Sequence, residues 1–517
     1  MKVMAGAFKN RDVLVSTLVL APLFAFAFFR SNPAEDAVIL YEYAKNLAAR
    51  GVITYGGAQH PIEGATDFLW MIGIAAFKAA GVDEYFSALL LNLLGAVFLV
   101  NAVPDVRYKI LALGALLLTP YLYASLNGFS ALFFSAAYVF ALAQAMRNSR
   151  GFYGSILFLC LVRPDGVVWG AGLVLLKLVD HWESTDLQRD FKQALKWLVL
   201  PGLSYFAARA WYFGEWLPLP FLVKSSGDRN LLIFYSASLR SMAPVILPIA
   251  LAAIASGRPI LVRRLCCVCA LPLLFYGALR LEQNVGNRFL APMFFGALFL
   301  VGRTESPRAL GVLVVASMYL GAFVAWNTLG TIRNSRSENV FYIAKELSGM
   351  QGKMLVTEAG RLAYYSNWTV HDSWGLNTPR FAHKPISASD LSEQDDYDLV
   401  VGHCDLSLLR DNASLEPVGG RSWMNQCKAL VQYTRRQDYR LYLVPYHRAG
   451  NRAVALRPLV ASSSSGATAP QCSRHDIYAI NPKYADAVRL QRTLVNNGAI
   501  AYSPQLPTGG GDLLCSP

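Results

Sequence analysis

The chain has 517 residues, of which 54% are hydrophobic and 16% charged, with a mean hydropathy of +0.33. A soluble globular protein carries about 25% charged residues, so this deficit points to lipid as much of the solvent. The formal net charge of +13 lies in short basic pairs between apolar runs; this excludes a basic nucleic-acid module and matches the Lys and Arg excess of cytoplasmic loops in membrane proteins.

Residues 13–30 form the first apolar run. It is long for a signal-peptide core and no small-x-small cleavage site follows it, so a retained first span is expected. A span needs about 20 mostly apolar residues. Further spans are expected near 86–103, 109–126, 129–146, 151–162, 166–179, 195–213, 231–256, 266–280, 289–302 and 309–327.

The run 66–81 decides the parity. If it lies along the outer surface, the cytoplasmic loops hold Lys2, Lys9, Arg11, Arg107, Lys109, Arg147, Arg150, Arg189, Lys192, Arg258, Arg263, Arg264, Arg303 and Arg308. This is a consistent positive-inside pattern. The expected fold is therefore a polytopic α-helical membrane protein of about eleven spans over 1–330, N-terminus inside.

Residues 331–517 differ in kind. Charged residues, Gly/Pro/Ser turns and the short runs KMLVTEAG, YDLVVGH and YRLYLVPYH predict an extracytoplasmic soluble α/β domain. The tract 462–466 reads as a linker inside it. Cys160, Cys266, Cys267 and Cys269 fall in spans as small hydrophobes. Cys404, Cys427, Cys472 and Cys515 form an even set on the side that permits disulfides. The pairing Cys404–Cys427 with Cys472–Cys515 is preferred among three. No CxxC pair supports zinc among these four, and no metal or other cofactor is expected.

With that topology, polar groups gather on the outer face. Glu35 and Asp36 follow the first span and open an amphipathic stretch, AVILYEYAKNLAARG, suited to a helix lying on the interface. A turn-rich loop over 56–70 contains His60, Glu63 and Thr66. Arg163 and Asp165 lie between two spans, Lys224 follows a proline-rich loop, and Arg288 precedes another span. Acids at one point with cations from distant spans suit transfer of a sugar from a lipid phosphate. The cations hold and stabilise the leaving phosphate, and a carboxylate takes the proton of an acceptor hydroxyl. Singly, each such residue also fits an interfacial anchor or a solvated loop.

These residues resemble the GT-C superfold of membrane glycosyltransferases, especially the bacterial branch containing the terminal arabinofuranosyltransferases. That branch reads Asp-Asp-Ala-Tyr-Ile, Tyr-Ala-x-Asn-Leu and Val-Glu-Gly-Tyr-Thr-x-x-Leu-Trp in its first outer loop. Here the counterparts are Glu35 to Ile39, Tyr43 to Leu47 and Ile62 to Trp70. Arg163 to Gly166, Tyr212 to Lys224 and Arg288 to Pro292 follow in order, and Gly360 to Ser366 and Asp372 to Asn377 resemble signatures of the branch's outer domain.

The resemblance covers nearly the whole chain and departs from the pattern at two points. Glu35 stands where Asp is usual, and Asn127-Gly128-Phe129-Ser130 carries Ser130 where the branch tends to have Glu. It implies an inverting transferase in the bacterial inner membrane that moves a sugar from a polyprenyl-phosphate donor to a glycan or glycoconjugate acceptor of the cell envelope. Glu35 or Asp36 would be the base. Lys224, Arg288 and Arg163 would bind the donor phosphate, and His60, Glu63, Thr66, Asp165 and Asn127 would shape the pocket. A lipid-sugar flippase and an inactive envelope scaffold are the rival readings. Tyr364, Tyr365, Trp368 and Trp374 are either core aromatics or sugar-stacking rings.

Overall fold

A computed structural model describes residues 10–181, 187–225, 231–278, 284–304, 306–334, 338–394, 396–409, 421–447 and 475–502. Lys2, Lys9, Cys472, Cys515 and the tract 462–466 lie outside the described residues. The chain divides into two compact units. The first comprises Met1–Ala49, Ala65–Trp216 and Arg229–Arg333; the second comprises Arg50–Gly64, Leu217–Asp228 and Asn334–Pro517.

The first unit is helical. Among the described residues, four helical segments are long and apolar enough to cross a membrane: Asn10–Arg30, Pro259–Ala278, Val285–Arg303 and Pro307–Gly330. Shorter apolar helices accompany them, including Phe68–Ala79, Glu84–Val100, Ala131–Met146 and Phe152–Val162. Their outward faces are apolar: Leu18 and Phe29 on the first helix are 65% and 67% exposed, and Tyr319 on the last is 82% exposed. Water would penalise such a surface, whereas hydrocarbon does not.

The run expected as one span over 109–126 breaks into Val106–Leu118 and Pro120–Leu126, bent by 63°. Pro120 donates no amide hydrogen bond, and it drives Thr119 out of the helical region to φ −110°, ψ 160°. Inside the unit, Glu84–Val100 packs on Ala131–Met146, and Gly166–His181 packs on Pro259–Ala278.

The second unit holds a six-stranded sheet: β1 (Lys353–Val356), β2 (Thr369–Asp372), β3 (Leu399–Gly402), β4 (Arg440–Pro445), β5 (His475–Ile480) and β6 (Ile500–Ala501). The spatial order is β2-β1-β3-β5-β4-β6. β1 runs parallel to both β2 and β3, β5 runs antiparallel to β3 and β4, and β6 runs antiparallel to β4. The three runs expected as strands supply β1, β3 and β4. One core cluster of this unit contains Leu355, Val400 and Ala479 from the sheet with Leu391, Tyr433 and Tyr439.

Cys404 and Cys427 form a disulfide, joining the end of β3 to the helix Trp423–Arg436. Segment 50–64 belongs to this unit through backbone bonds. The Val370 amide donates to the Gly56 carbonyl at 2.9 Å, and the Leu219 amide donates to the Glu63 carbonyl at 3.2 Å.

Candidate active site

In the first unit the chain leaves Asn10–Arg30 and starts the helix Glu35–Arg50 with its two acids in the first turn, where the helix dipole favours negative charge. The Ala34 amide donates to the Asn127 carbonyl at 2.9 Å, which fixes that first turn to the loop after Pro120–Leu126. Gly128 makes the contact possible. Its φ of +91° suits glycine, and a Cβ there would lie 2.2 Å from the Tyr41 hydroxyl. That hydroxyl donates to the Gly128 carbonyl at 3.0 Å. Asn127 is buried, its amide donates to the Tyr123 carbonyl at 3.2 Å, and its Oδ1 has no hydrogen-bond partner among the described residues.

Arg288 comes to the same place from the 3-10 turn Val285–Leu290. Its guanidinium lies 3.5 Å from Asp36 Oδ2, with the arginine side chain 9% and the aspartate 42% exposed. The guanidinium carbon sits 3.9 Å from the centre of the Phe129 ring and 4.8 Å from that of Phe289. Arg163 flanks Phe289 too, at 5.1 Å, so one ring is shared by two cations.

Arg163 directs Nε and Nη2 at the two oxygens of Asp165, each at 2.9 Å, in a bidentate pair. The Tyr276 hydroxyl donates to Asp165 Oδ2 and accepts from Trp169 Nε1 at 3.3 Å. This edge of Arg163 is therefore committed inside the protein, whereas Arg288 meets a half-exposed carboxylate.

Asp67 is the residue that the sequence reading missed. It precedes the helix Phe68–Ala79 but makes no side-chain capping bond there. Instead its Oδ2 accepts from Ser130 Oγ at 3.2 Å. Burial raises its carboxyl above the ordinary range, opposed by the Arg163 charge, assisted by Asp165, and further opposed by the Ser130 bond and the Arg288 charge. Asp67 thus belongs electrostatically with both arginines. An acid standing before an apolar helix was the available signal, and it reads as a cap from sequence alone. Thr66 lies beside it, its hydroxyl 3.5 Å from Asp67 Oδ1.

One group in this unit therefore unites Asp36, Arg288, Arg163 and Asp165, with Asn127, Thr66, Asp67 and Ser130 beside them. Glu35 starts the same helix as Asp36, partly buried. His60, Glu63 and Lys224 belong to the second unit. There His60 is exposed and its carbonyl accepts from Thr54 Oγ1 at 2.7 Å; Glu63 is buried; Lys224 is exposed in the last turn of Leu219–Ser225. Among the described residues no group of three or more His, Cys, Asp or Glu side chains could hold a metal ion.

A family profile described as "Domain of unknown function (DUF8728)" matches residues 332–454. No curated protein matches the chain. A solved structure of ArnT from Cupriavidus metallidurans bound to undecaprenyl phosphate aligns with a TM-score of 0.54 at 13% identity, covering 80% of this chain and 96% of that one. ArnT from the same organism in the apo state aligns at 0.51 and 15% identity, over 79% and 96%. The alignment over most of both chains, at low identity, concerns architecture, and in architecture this chain has the fold of those ArnT structures.

Proposed function

We propose that this protein is an inverting glycosyltransferase of the membrane, taking a sugar from a polyprenyl-phosphate donor and passing it to a cell-envelope glycan or glycoconjugate. The observation that carries this reading is the meeting of Asp36 and Arg288 in a fold whose solved example binds undecaprenyl phosphate. We place the site at the outer edge of the bacterial inner membrane, in a bundle of about eleven spans over 1–330, with 331–517 outside; the positive-inside charge pattern supports that orientation.

In this reading Asp36, or Glu35 beside it, takes the proton of an acceptor hydroxyl. The oxygen attacks the anomeric carbon as the bond to the donor phosphate breaks, and the polyprenyl phosphate leaves. Arg288 stabilises the charge that develops on that phosphate. Arg163, held by Asp165, supports the same field and positions Phe289 against Arg288. Asp67 brings a carboxylate to the place where Ser130 stands, which answers the departure of this chain from the branch pattern. Thr66 and Asn127 shape the pocket. The arabinose preference of one branch is the finer form of the proposal.

The donor side is tested with undecaprenyl phosphate itself, titrated into the full-length protein in nanodiscs. Arg288→Gln is expected to weaken binding about tenfold or more, the loss of one charge-assisted contact. Equal affinity in a folded Arg288→Gln protein would remove the donor-phosphate role from this arginine.

A further inference from the structure

The soluble sheet carries a second constellation, separate from the one above. β2 and β3 lie on opposite sides of β1, so the chain reverses its winding between β1 and β3. In open α/β sheets, ligands bind in the crevice beyond the carboxyl ends of the strands at such a switch point. The chain leaves β1 there into Thr357-Glu358 and leaves β3 into His403-Cys404. β5 enters at the same edge with His475-Asp476, because it is antiparallel to β3 with Gly402 opposite Ile477.

Three titratable side chains converge at this edge. His403 Nδ1 lies 2.5 Å from Asp476 Oδ1 and 3.9 Å from Glu358 Oε1. With the carboxylate on Nδ1, a neutral ring carries its proton there. The His403 amide donates to Thr357 Oγ1 at 2.8 Å, so the two strand ends are tied together.

An aromatic surface adjoins the cluster and is held in place by its own bonds. Trp423 is 40% exposed, and its Nε1 donates to the His403 carbonyl at 3.2 Å. Its ring centre is 5.8 Å from that of Trp374. Trp374 rides on a loop fixed from two directions. Asp372 accepts from the Trp374 and Asn377 amides at 2.9 and 3.0 Å, and Arg421 donates to the Trp374 carbonyl at 2.6 Å. Gly375 takes φ +89° in that loop, where a Cβ would lie 2.4 Å from the Phe381 carbonyl carbon. The Tyr446 ring lies 5.9 Å from that of His403.

We propose that this edge is a binding site for a neutral sugar ring. An exposed, anchored indole offers a face for the apolar side of a sugar. The adjacent carboxylates offer acceptors for its hydroxyls. Two carboxylates beside one imidazole disfavour a phosphate or a uronate. The site rests on the soluble unit alone and stands whether or not the chain transfers sugars.

The test uses the full-length protein in nanodiscs and four neutral hexasaccharides, built from arabinose, mannose, glucose and xylose. Binding is read by saturation-transfer NMR, with no donor present and no turnover measured. At least one hexasaccharide is expected to bind. Trp423→Ala and Asp476→Asn are each expected to weaken it about tenfold, whereas Trp423→Tyr, which keeps a ring, stays within about threefold. An intact Cys404–Cys427 bond and unchanged near-ultraviolet circular dichroism report that the variants fold. No binding of any hexasaccharide by the wild-type protein, or binding indifferent to both Trp423→Ala and Asp476→Asn, would overturn the proposal.

Discussion

Gly128 and Asp67 concentrate what single residues contribute to the candidate site. The close approach of Gly128 to Tyr41 leaves no room for a methyl group, and its positive φ adds backbone strain to any side chain. Gly128→Ala is expected to destabilise the membrane unit by about 2–4 kcal/mol, combining overpacking with strain. A thermal melt of the purified protein in detergent checks this, and an unchanged midpoint would show that the loop is free to move. Asp67 makes a different prediction. Asp67→Asn keeps the shape and the contact with Ser130 but removes a charge facing Arg163 and Arg288. Donor turnover is expected to fall by about 10²-fold, with undecaprenyl phosphate binding kept or tightened because the local field becomes more positive. Weaker binding together with lost turnover would instead make Asp67 part of the scaffold.

At the scale of elements, the six-stranded sheet holds a pH-sensitive joint. Asp372 closes β2 and is buried, and that burial raises its carboxyl to about 6 despite the bonds it accepts from Trp374, Asn377 and Gly375. The folded form therefore binds this proton more tightly than the unfolded form, whose ordinary value is about 3.9. The stabilisation is complete below about 4 and is lost as pH rises through about 6, at most about 3 kcal/mol. Hydrogen exchange of the Trp374–Asn377 amides is expected to speed up, once corrected for intrinsic rates, between pH 5 and pH 7. A flat corrected profile would contradict it. The Cys404–Cys427 bond, closing a separation of 23 residues, is expected to contribute about 3 kcal/mol, read as the fall in the domain's melting midpoint when the full-length protein is reduced.

Elements were unequally legible beforehand. Long apolar runs and the strands β1, β3 and β4 announce themselves by composition. β2 is four residues, Thr-Val-His-Asp, too short and polar for a period to show. The bend at Pro120 was written in the sequence, since a proline inside an apolar run predicts a break, yet hydropathy averaged over a span conceals it.

For the whole molecule, the harder information is long-range. Segments 50–64 and 217–228 join the second unit through bonds such as Tyr55 Oη to the Ala359 carbonyl, 304 residues apart. Local pattern does not encode that. The candidate site divides the same way. Glu35, Asp36, Arg163 and Arg288 stood out because charge beside apolar spans is costly and therefore conspicuous. Ser130 stood out as a departure from a familial pattern, but the carboxylate next to it could only be found in space. The proposed reaction depends on Asp36 or Glu35 acting beside a lipid-linked sugar donor. The most direct measurement offers the reconstituted protein a panel of polyprenyl-phosphate sugars with envelope extract as acceptor source, beside Asp36→Asn and Glu35→Gln. Consumption of one donor is expected, lowered about 10²–10⁴-fold in at least one of the two folded variants. Intact donors throughout, or turnover unchanged in both variants, would contradict it.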